Sequence, residues 1–286
     1  MVKLCVDVIV VHSGMKPRVP RLKHIIPSQD RDSVSAVTSL GDYVFLVRHN
    51  SQQVEVYDAE TFTLHHQITI PGLGPYPRGL AACYVNNCIY ASDWNNDSIH
   101  RVELSGSNEV KKWSVADSPA GLSVNRAHNL VVTCYWASKL HEYTTEGSLV
   151  REIRLQAGVS LPCHAVQLST GHYVVSQGMS PGVVSVVGVE GQLVQSYGPS
   201  NFGEMEYPSG LAVTRNDDIL VADSYNNRVL SIIRSTGLVQ QVALSVAGGL
   251  HEPTGLCLEQ SRGRLYVGES EGQHRVLVFD NVTKPV

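Results

Sequence analysis

The sequence predicts an all-β protein with the architecture of a six-bladed β-propeller, in which each blade is a sheet of four antiparallel strands. Two observations predict this fold. A short motif, Pro-x-Gly-Leu followed by a small or β-branched residue, returns along the chain. Each unit also contains four short runs of β-branched and aromatic residues, separated by Gly, Asn, Asp and Ser turns. Six such units are typical of a propeller, and a linear solenoid is the alternative.

The spacing of the repeat is regular over most of the chain. The motif is clear in four copies and degenerate in the first and fourth units. The position of the motif glycine is assigned to Ser35, Gly79, Gly121, His164, Gly210 and Gly255, at spacings of 42 to 46 residues. So steady a period indicates one structural unit per repeat, and no segment shows the sustained apolar period of a helix.

The two ends of the chain are predicted to meet in one blade. The last unit begins at Glu252 and has three strand-like runs instead of four. Residues 21–26 precede the first unit at the distance expected of an outer strand. We therefore expect residues 21–26 to form the outer strand of the last blade, which removes an open sheet edge. The predicted organisation is an N-terminal extension, residues 1–20, and a propeller over residues 21–286.

The composition narrows the class of protein. Hydrophobic residues make up 43% of the chain, charged residues 17%, and the net charge is -4, which favours a globular protein without a nucleic-acid or membrane partner. Asp7 interrupts the apolar N-terminal run, no cleavage site follows, and no run approaches the ~20 apolar residues of a membrane helix. We expect a cytoplasmic protein with buried free thiols, although Cys83 and Cys88 could meet across a hairpin.

One unit resembles the NHL repeat. It runs from Tyr207-Pro-Ser-Gly-Leu211 through Ile219-Leu-Val-Ala-Asp223 to an Arg-Val pair at Arg228. The last unit is a second good copy. The resemblance implies a TRIM-NHL-like propeller domain, as in TRIM-type ubiquitin ligases and translational repressors that bind RNA or protein, whereas related six-bladed folds include lyases and lactonases. The family pattern further implies structural ion pairs within a blade, here Asp223 with Arg228 and Glu269 with Arg275.

Aromatic side chains are concentrated in the loops of one predicted face. The loops that join blades, and those between the second and third strands, share this top face and sum to a formal charge of -5. Their aromatic residues are Tyr76, Trp94, Tyr135, Trp136, Phe202, Tyr207 and Tyr225. Trp94, Trp136 and Tyr225 are predicted at loop tips as partner contacts, since aromatic anchors are typical of interfaces. Tyr76 and Tyr207, which precede prolines, are interpreted as staples between blades.

Departures from the repeat indicate a second group of candidates. The position of the motif acid after the second strand is assigned to Arg48, Asp93, Tyr135, Gln177, Asp223 and Glu269. Blade four also has His164 at the glycine position and Met179 in its loop. With Arg78, these departures are predicted to converge near the central channel, and drift in weak repeats is the alternative reading.

These features favour a non-catalytic binding or scaffold propeller that engages a protein or peptide through its top-face loops. The candidate contacts are Arg48, Arg78, Trp94, Tyr135, Trp136, His164, Gln177, Met179 and Tyr225. No catalytic residue, metal site or cofactor is predicted, because no nucleophile, phosphate-loop or dinucleotide motif is present. The first alternative is a small-molecule lyase or hydrolase at the channel mouth around His164, Arg78, Tyr135 and Gln177. The second is RNA binding, which the acidic face disfavours.

Overall fold

The computed structural model describes residues 19–28, 32–106, 108–198 and 204–283. Most of the predicted N-terminal extension and Phe202 lie outside these residues, so the boundary at residue 20 stays a prediction. The described part contains twenty-four strands and one short 3-10 turn, Ser224–Asn226. The strands form six separate four-stranded antiparallel sheets, which confirms the predicted six-bladed propeller. No helix in the described ranges is long and apolar enough to cross a membrane.

The first three blades follow one another along the chain, each with its innermost strand first. Blade one contains β2 (Val34–Leu40), β3 (Tyr43–Arg48), β4 (Gln53–Asp58) and β5 (Leu64–Thr69). Blade two contains β6 (Pro77–Cys83), β7 (Cys88–Asp93), β8 (Ser98–Glu103) and β9 (Val110–Ser114). Blade three contains β10 (Pro119–Val124), β11 (Leu130–Cys134), β12 (Lys139–Tyr143) and β13 (Leu149–Arg154).

The last three blades complete the ring, and the final one draws on both ends of the chain. Blade four contains β14 (Pro162–Gln167), β15 (Tyr173–Gln177), β16 (Val183–Val187) and β17 (Leu193–Tyr197). Blade five contains β18 (Pro208–Val213), β19 (Ile219–Asp223), β20 (Arg228–Ile233) and β21 (Leu238–Gln241). Blade six contains β22 (Pro253–Glu259), β23 (Arg264–Glu269), β24 (Val276–Asp280) and β1 (Arg21–Ile26).

The pairing of β1 with β24 confirms the predicted closure of the ring. The two strands are antiparallel, with Ile25 opposite Leu277 and Ile26 opposite Val276. Ile26 is completely buried, because it joins the apolar layer between blade six and blade one. The inner strand β2 in turn contacts both β6 and β22, so the six inner strands surround a central channel. Strand β1 thus holds the two ends of the chain in one sheet.

The motif position requires glycine in several blades because neighbouring inner strands approach closely there. A Cβ placed on Gly121 would overlap the carbonyl oxygen of Cys163, and one on Gly210 would overlap that of Thr254. The strand register assigns Ala36, rather than Ser35, to this position in blade one. Ala36 lies opposite Val47 just as Gly255 lies opposite Gly268. The degenerate sequence of the first unit had shifted the assignment by one residue.

Small hydroxyl side chains link three successive pairs of blades. Ser92 donates to the carbonyl oxygen of Ala120 at 2.8 Å, and Thr133 donates to that of Cys163 at 3.1 Å. Ser176 donates to the carbonyl oxygen of Ser209 at 2.5 Å. Each is the penultimate residue of the second strand in its blade. These bonds satisfy inner-strand carbonyls that face another blade instead of a ladder partner.

The charged residues of the repeat hold single blades together, as the family pattern implied. Asp223 and Arg228 form an ion pair at 2.6 Å, and Glu269 and Arg275 form one at 2.7 Å. Both acids are completely buried, so each depends on its arginine to compensate for lost hydration. Five described cysteines are free thiols: Cys83, Cys88, Cys134, Cys163 and Cys257. Cys83 and Cys88 do lie opposite each other across the β6–β7 hairpin.

Candidate binding site at the channel mouth

A cavity of about 410 Å³ opens where the central channel reaches the top face. The starts of the inner strands and the residues that follow the second strands form its walls. The lining residues that directly follow a second strand are His49, Trp94, Tyr135, Ser224 and Ser270. The cavity size falls within the usual range of small-molecule and peptide side-chain pockets.

The register moves Tyr135 by one position relative to the sequence assignment. Cys134 ends β11 opposite Pro119, just as Asp93 ends β7 opposite Pro77. Cys134 therefore occupies the motif-acid position of blade three, and Tyr135 is the next residue. It corresponds to Trp94 in blade two, which explains why both rings line the cavity.

Five aromatic residues form a surface that we call the aromatic arc: Trp94, Tyr135, Trp136, Tyr207 and Tyr225. The ring centroids of Trp94 and Tyr135 are 5.2 Å apart, and those of Tyr135 and Trp136 are 4.9 Å apart. Tyr207 and Tyr225 stack with an interplanar angle of 18° at 5.1 Å. Trp136 is 65% exposed at the rim and does not line the cavity itself. The arc comes from blades two, three and five.

Tyr207, interpreted from the sequence as a staple between blades, also lines the cavity. Its backbone has a positive φ of 55° immediately before Pro208. Blade four contributes Gly178 beside it, where a Cβ would meet the Tyr207 ring at 3.2 Å. Burial raises the pKa of the Tyr207 and Tyr135 hydroxyls. Both hydroxyls therefore stay protonated at neutral pH, and that of Tyr135 donates to the Gly178 carbonyl oxygen at 3.3 Å.

Arg78 lines the same cavity from the start of β6. Its guanidinium carbon lies 4.8 Å from the centroid of the Trp94 ring, a cation–π contact. Among the described residues, no carboxylate forms an ion pair with Arg78, whereas Arg48, Arg228 and Arg275 each have one. The charge of Arg78 is thus available at the mouth.

His164 lines the cavity at the glycine position of blade four, but both ring nitrogens have backbone partners. Nδ1 accepts a hydrogen bond from the Leu211 N–H at 3.0 Å, and Nε2 lies 2.9 Å from the Leu122 carbonyl oxygen. Burial lowers the pKa of His164. Its neutral ring is consequently a link between blades three, four and five.

Arg48 and Gln177 are buried away from the cavity. Arg48 forms an ion pair with Glu55 at 2.8 Å and donates to the His274 carbonyl oxygen at 2.8 Å. The Gln177 amide accepts from the Ser160 N–H at 2.8 Å and donates to Ser185 at 3.0 Å. Each replaces the motif acid with another buried polar group that satisfies the loop around it.

Met179 is half-buried beside the aromatic arc, and the structure does not place it in the cavity wall. Its carbonyl oxygen accepts from the Tyr207 N–H at 3.2 Å. Met179 therefore positions the backbone of Tyr207. Of the candidate residues, the structure brings Arg78, Trp94, Tyr135, His164 and Tyr225 together in the cavity wall.

The wall formed by blade six is acidic. Glu252 and Glu271 both line the cavity, and Glu252 has a positive φ of 43° before Pro253. Ser270 donates to a carboxylate oxygen of Glu252 at 3.3 Å. Neither acid was predicted as a site residue from the sequence, although Glu252 precedes a motif proline as Tyr207 does. Across the described residues, no group of three or more His, Cys, Asp or Glu side chains is arranged to hold a metal ion.

The comparison with protein families agrees with the fold. The family model of the NHL repeat matches residues 205–230, the unit that shows the resemblance most clearly. The fold and this repeat together support an NHL-type six-bladed propeller. A comparison with curated proteins found no match.

Solved structures share the propeller fold at low sequence identity. A streptogramin B lyase aligns with a TM-score of 0.63 and 15% identity, over 90% of this chain and 96% of that chain. Hydrazine synthase from Kuenenia stuttgartiensis aligns with a TM-score of 0.66 and 18% identity, over 88% and 78%. An inactive virginiamycin B lyase from Staphylococcus aureus with quinupristin aligns with a TM-score of 0.65 and 12% identity, over 92% of this chain and 89% of that chain. These similarities establish the fold alone.

Proposed function

We propose that this chain is a non-catalytic binding propeller that engages a protein or peptide partner at the mouth of its central channel. The observation that carries this proposal is the aromatic arc beside a cavity of about 410 Å³. An aromatic or apolar side chain of the partner inserts into the cavity and contacts Trp94, Tyr135 and Tyr207. Aromatic residues and arginine supply most of the binding energy at protein interfaces.

The lyase or hydrolase alternative has less support from the same contacts. It is placed around His164, Arg78, Tyr135 and Gln177, of which Arg78, Tyr135 and His164 line the cavity. The two nitrogens of His164 are engaged by backbone groups of the adjacent blades, and Gln177 is buried in its own loop. Neither side chain is free to transfer a proton without breaking a structural hydrogen bond.

RNA binding is also the weaker proposal. Phosphate recognition needs several cations on one surface. The cavity wall carries one arginine, Arg78, and two acids, Glu252 and Glu271. A TRIM-NHL-like role and a cytoplasmic location are parts of the same proposal, which the free thiols support.

Peptide display against the immobilised protein tests the proposed function. Peptides selected by the full chain are expected to lose about 30-fold in affinity on Trp94→Ala, since a central aromatic anchor contributes about 2 kcal/mol. Leu149→Ala, an exposed position on the outer strand of blade three, is the matched control and is expected to bind like the wild type. Selected peptides that bind both variants equally would contradict a site at the channel mouth.

A further inference from the structure

The cavity at the channel mouth has its charges on two separate walls. Arg78 lies on the wall of blade two, and Glu252 and Glu271 lie on the wall of blade six. Blade one separates them. No ion pair joins either acid to Arg78 in the described part of the chain, and neither acid has another cationic partner there. The site therefore keeps opposite charges apart, instead of neutralising them internally.

The remaining titratable groups of the cavity are uncharged. Burial and the charge of Arg78 lower the pKa of His49, and burial lowers that of His164. Burial raises the pKa of the Cys163 thiol to about 11. At neutral pH the formal charges of the wall are thus those of one arginine and two glutamates.

The surroundings of Arg78 suit it to an anion. Its guanidinium carbon lies over the Trp94 ring, and its N–H groups form no ion pair in the described part of the chain. Edge-on N–H groups are the part of arginine that pairs with a carboxylate in two parallel hydrogen bonds.

The acidic wall suits an ammonium group. The backbone around Glu252 is fixed, because its N–H donates to Asn227 at 2.7 Å and its carbonyl accepts from the Ser270 N–H at 3.1 Å. One Glu252 oxygen accepts from the Ser270 hydroxyl, and the other has no donor among the described residues. The buried hydroxyl of Ser35, in the adjoining wall of blade one, has no hydrogen-bond partner among the described residues. Hydrogen-bonding groups for a ligand thus remain at the walls of blades six and one.

We propose that the mouth cavity recognises a carboxylate and an ammonium group that flank an aromatic ring. The carboxylate binds Arg78, the ammonium binds Glu252 and Glu271, and the ring contacts the aromatic arc. The cavity, about 410 Å³, falls within the size range of small-molecule sites and is large enough for one aromatic amino acid. A free aromatic amino acid and a peptide with acidic and basic residues around an aromatic one both present this chemistry. The inference rests on the proposed function, because it uses the same surface.

Four phenylalanine derivatives test the charge requirement. Phenylalanine carries both charges, N-acetylphenylalanine only the carboxylate, phenylalaninamide only the ammonium, and N-acetylphenylalaninamide neither. Intrinsic tryptophan fluorescence, to which Trp94 contributes together with Trp113 and Trp136, reports binding, since phenylalanine does not absorb at the excitation wavelength of tryptophan. We expect phenylalanine to bind about tenfold tighter than either singly charged derivative. A second arm compares the peptides acetyl-Asp-Phe-Lys-amide and acetyl-Asn-Phe-Gln-amide, and preference for the charged one alone would identify a peptide as the source.

Variants assign each charge to its wall. Arg78→Met is expected to abolish the preference for a carboxylate and keep that for an ammonium, and Glu252→Gln is expected to do the reverse. Lys112→Met and Glu190→Gln, exposed charges away from the mouth, are the matched controls. Equal affinities for all four derivatives and both peptides, or binding by none of them, would overturn the inference. Equal binding of display-selected peptides to the wild type and to Trp94→Ala is the separate result that would overturn the proposed function.

Discussion

The backbone N–H of Leu211 in blade five donates a hydrogen bond to Nδ1 of His164 in blade four at 3.0 Å. Because Nδ1 accepts, the proton of the neutral ring is on Nε2, which lies 2.9 Å from the Leu122 carbonyl oxygen in blade three. One imidazole therefore connects three consecutive inner strands, and it makes both bonds only in its neutral form.

Acidification is expected to destabilise the propeller through His164. Burial lowers its pKa below the ordinary value of 6.5, so the unfolded chain takes up this proton first as the pH falls. The contribution of His164 to stability is complete above pH 6.5 and decreases as the pH falls from 6.5 toward the lower pKa of the folded state. Urea midpoints measured from about pH 5 to about pH 7.5 report this dependence.

His164→Gln isolates that contribution from those of other histidines. The variant is expected to be about 1–3 kcal/mol less stable at neutral pH, because a buried Leu211 N–H loses a well-placed acceptor. It is also expected to show a smaller pH dependence than the wild type. His128→Gln, at an exposed turn, is the control and should keep the wild-type dependence. Identical pH profiles for the wild type and His164→Gln would contradict this assignment.

The motif glycines are expected to differ in their tolerance of alanine. Gly121→Ala is predicted to cost about 1–3 kcal/mol, because its Cβ would overlap backbone of the next blade. Gly255→Ala is predicted to cost less, since its nearest neighbour, the Val37 side chain, is 3.3 Å away. Blade one already has Ala36 at this position. Chemical denaturation measures both changes, and equal losses would argue against strand spacing as the cause.

The buried motif charges are expected to be far more important than exposed ion pairs. Arg275→Met leaves Glu269 buried without its partner, which is predicted to cost about 3–5 kcal/mol. Lys111→Met breaks an exposed pair with Glu146 and is predicted to cost at most about 1 kcal/mol. Both changes in the free energy of unfolding are to be measured from denaturation midpoints, and they are comparable where the dependence of that free energy on denaturant concentration is unchanged. A small effect of Arg275→Met would mean that water reaches Glu269.

Closure of the ring by β1 is expected to be essential for stability. Ile26→Ala removes a completely buried side chain and is predicted to cost about 2–5 kcal/mol. Leu22→Ala, at a position 37% exposed on the same strand, is the matched control with a smaller cost. Removal of residues 19–26 should lower the melting temperature of the whole propeller in one transition. A separate, earlier transition of small amplitude would instead indicate that blade six unfolds alone.

Arg78 is expected to control the titration of His49. The arginine is a cause of the lowered pKa of His49, after burial. Arg78→Met should therefore raise the pKa of His49 toward 6.5. Imidazole NMR shifts across the pH range measure it, and Arg126→Met, an exposed arginine, serves as control. An unchanged pKa would place the Arg78 guanidinium further from the mouth.

Sequence reasoning located the strands well and individual site residues less well. Residues 21–26 were identified as the closing strand, because a missing fourth strand in the last unit required a substitute. Ser35 and Tyr135 were each assigned one position away from the register that the structure shows. Ser35 lies in a unit where the motif is degenerate and no glycine marks the alignment, whereas blade three keeps its motif glycine but has Cys134 in place of the motif acid.

The sequence by itself determined the six-fold repeat, the four strands of each unit and the ion pairs of the well-formed units. These depend on local patterns, which alternate and repeat within about 43 residues. Only the tertiary structure decided which departures face the channel. Arg48 and Gln177 became buried supports, whereas Tyr207, Glu252 and Glu271 entered the cavity wall. The reason is physical: the mouth is assembled from residues of all the blades around the ring, and their orientation depends on strand register and backbone φ, which no local pattern specifies.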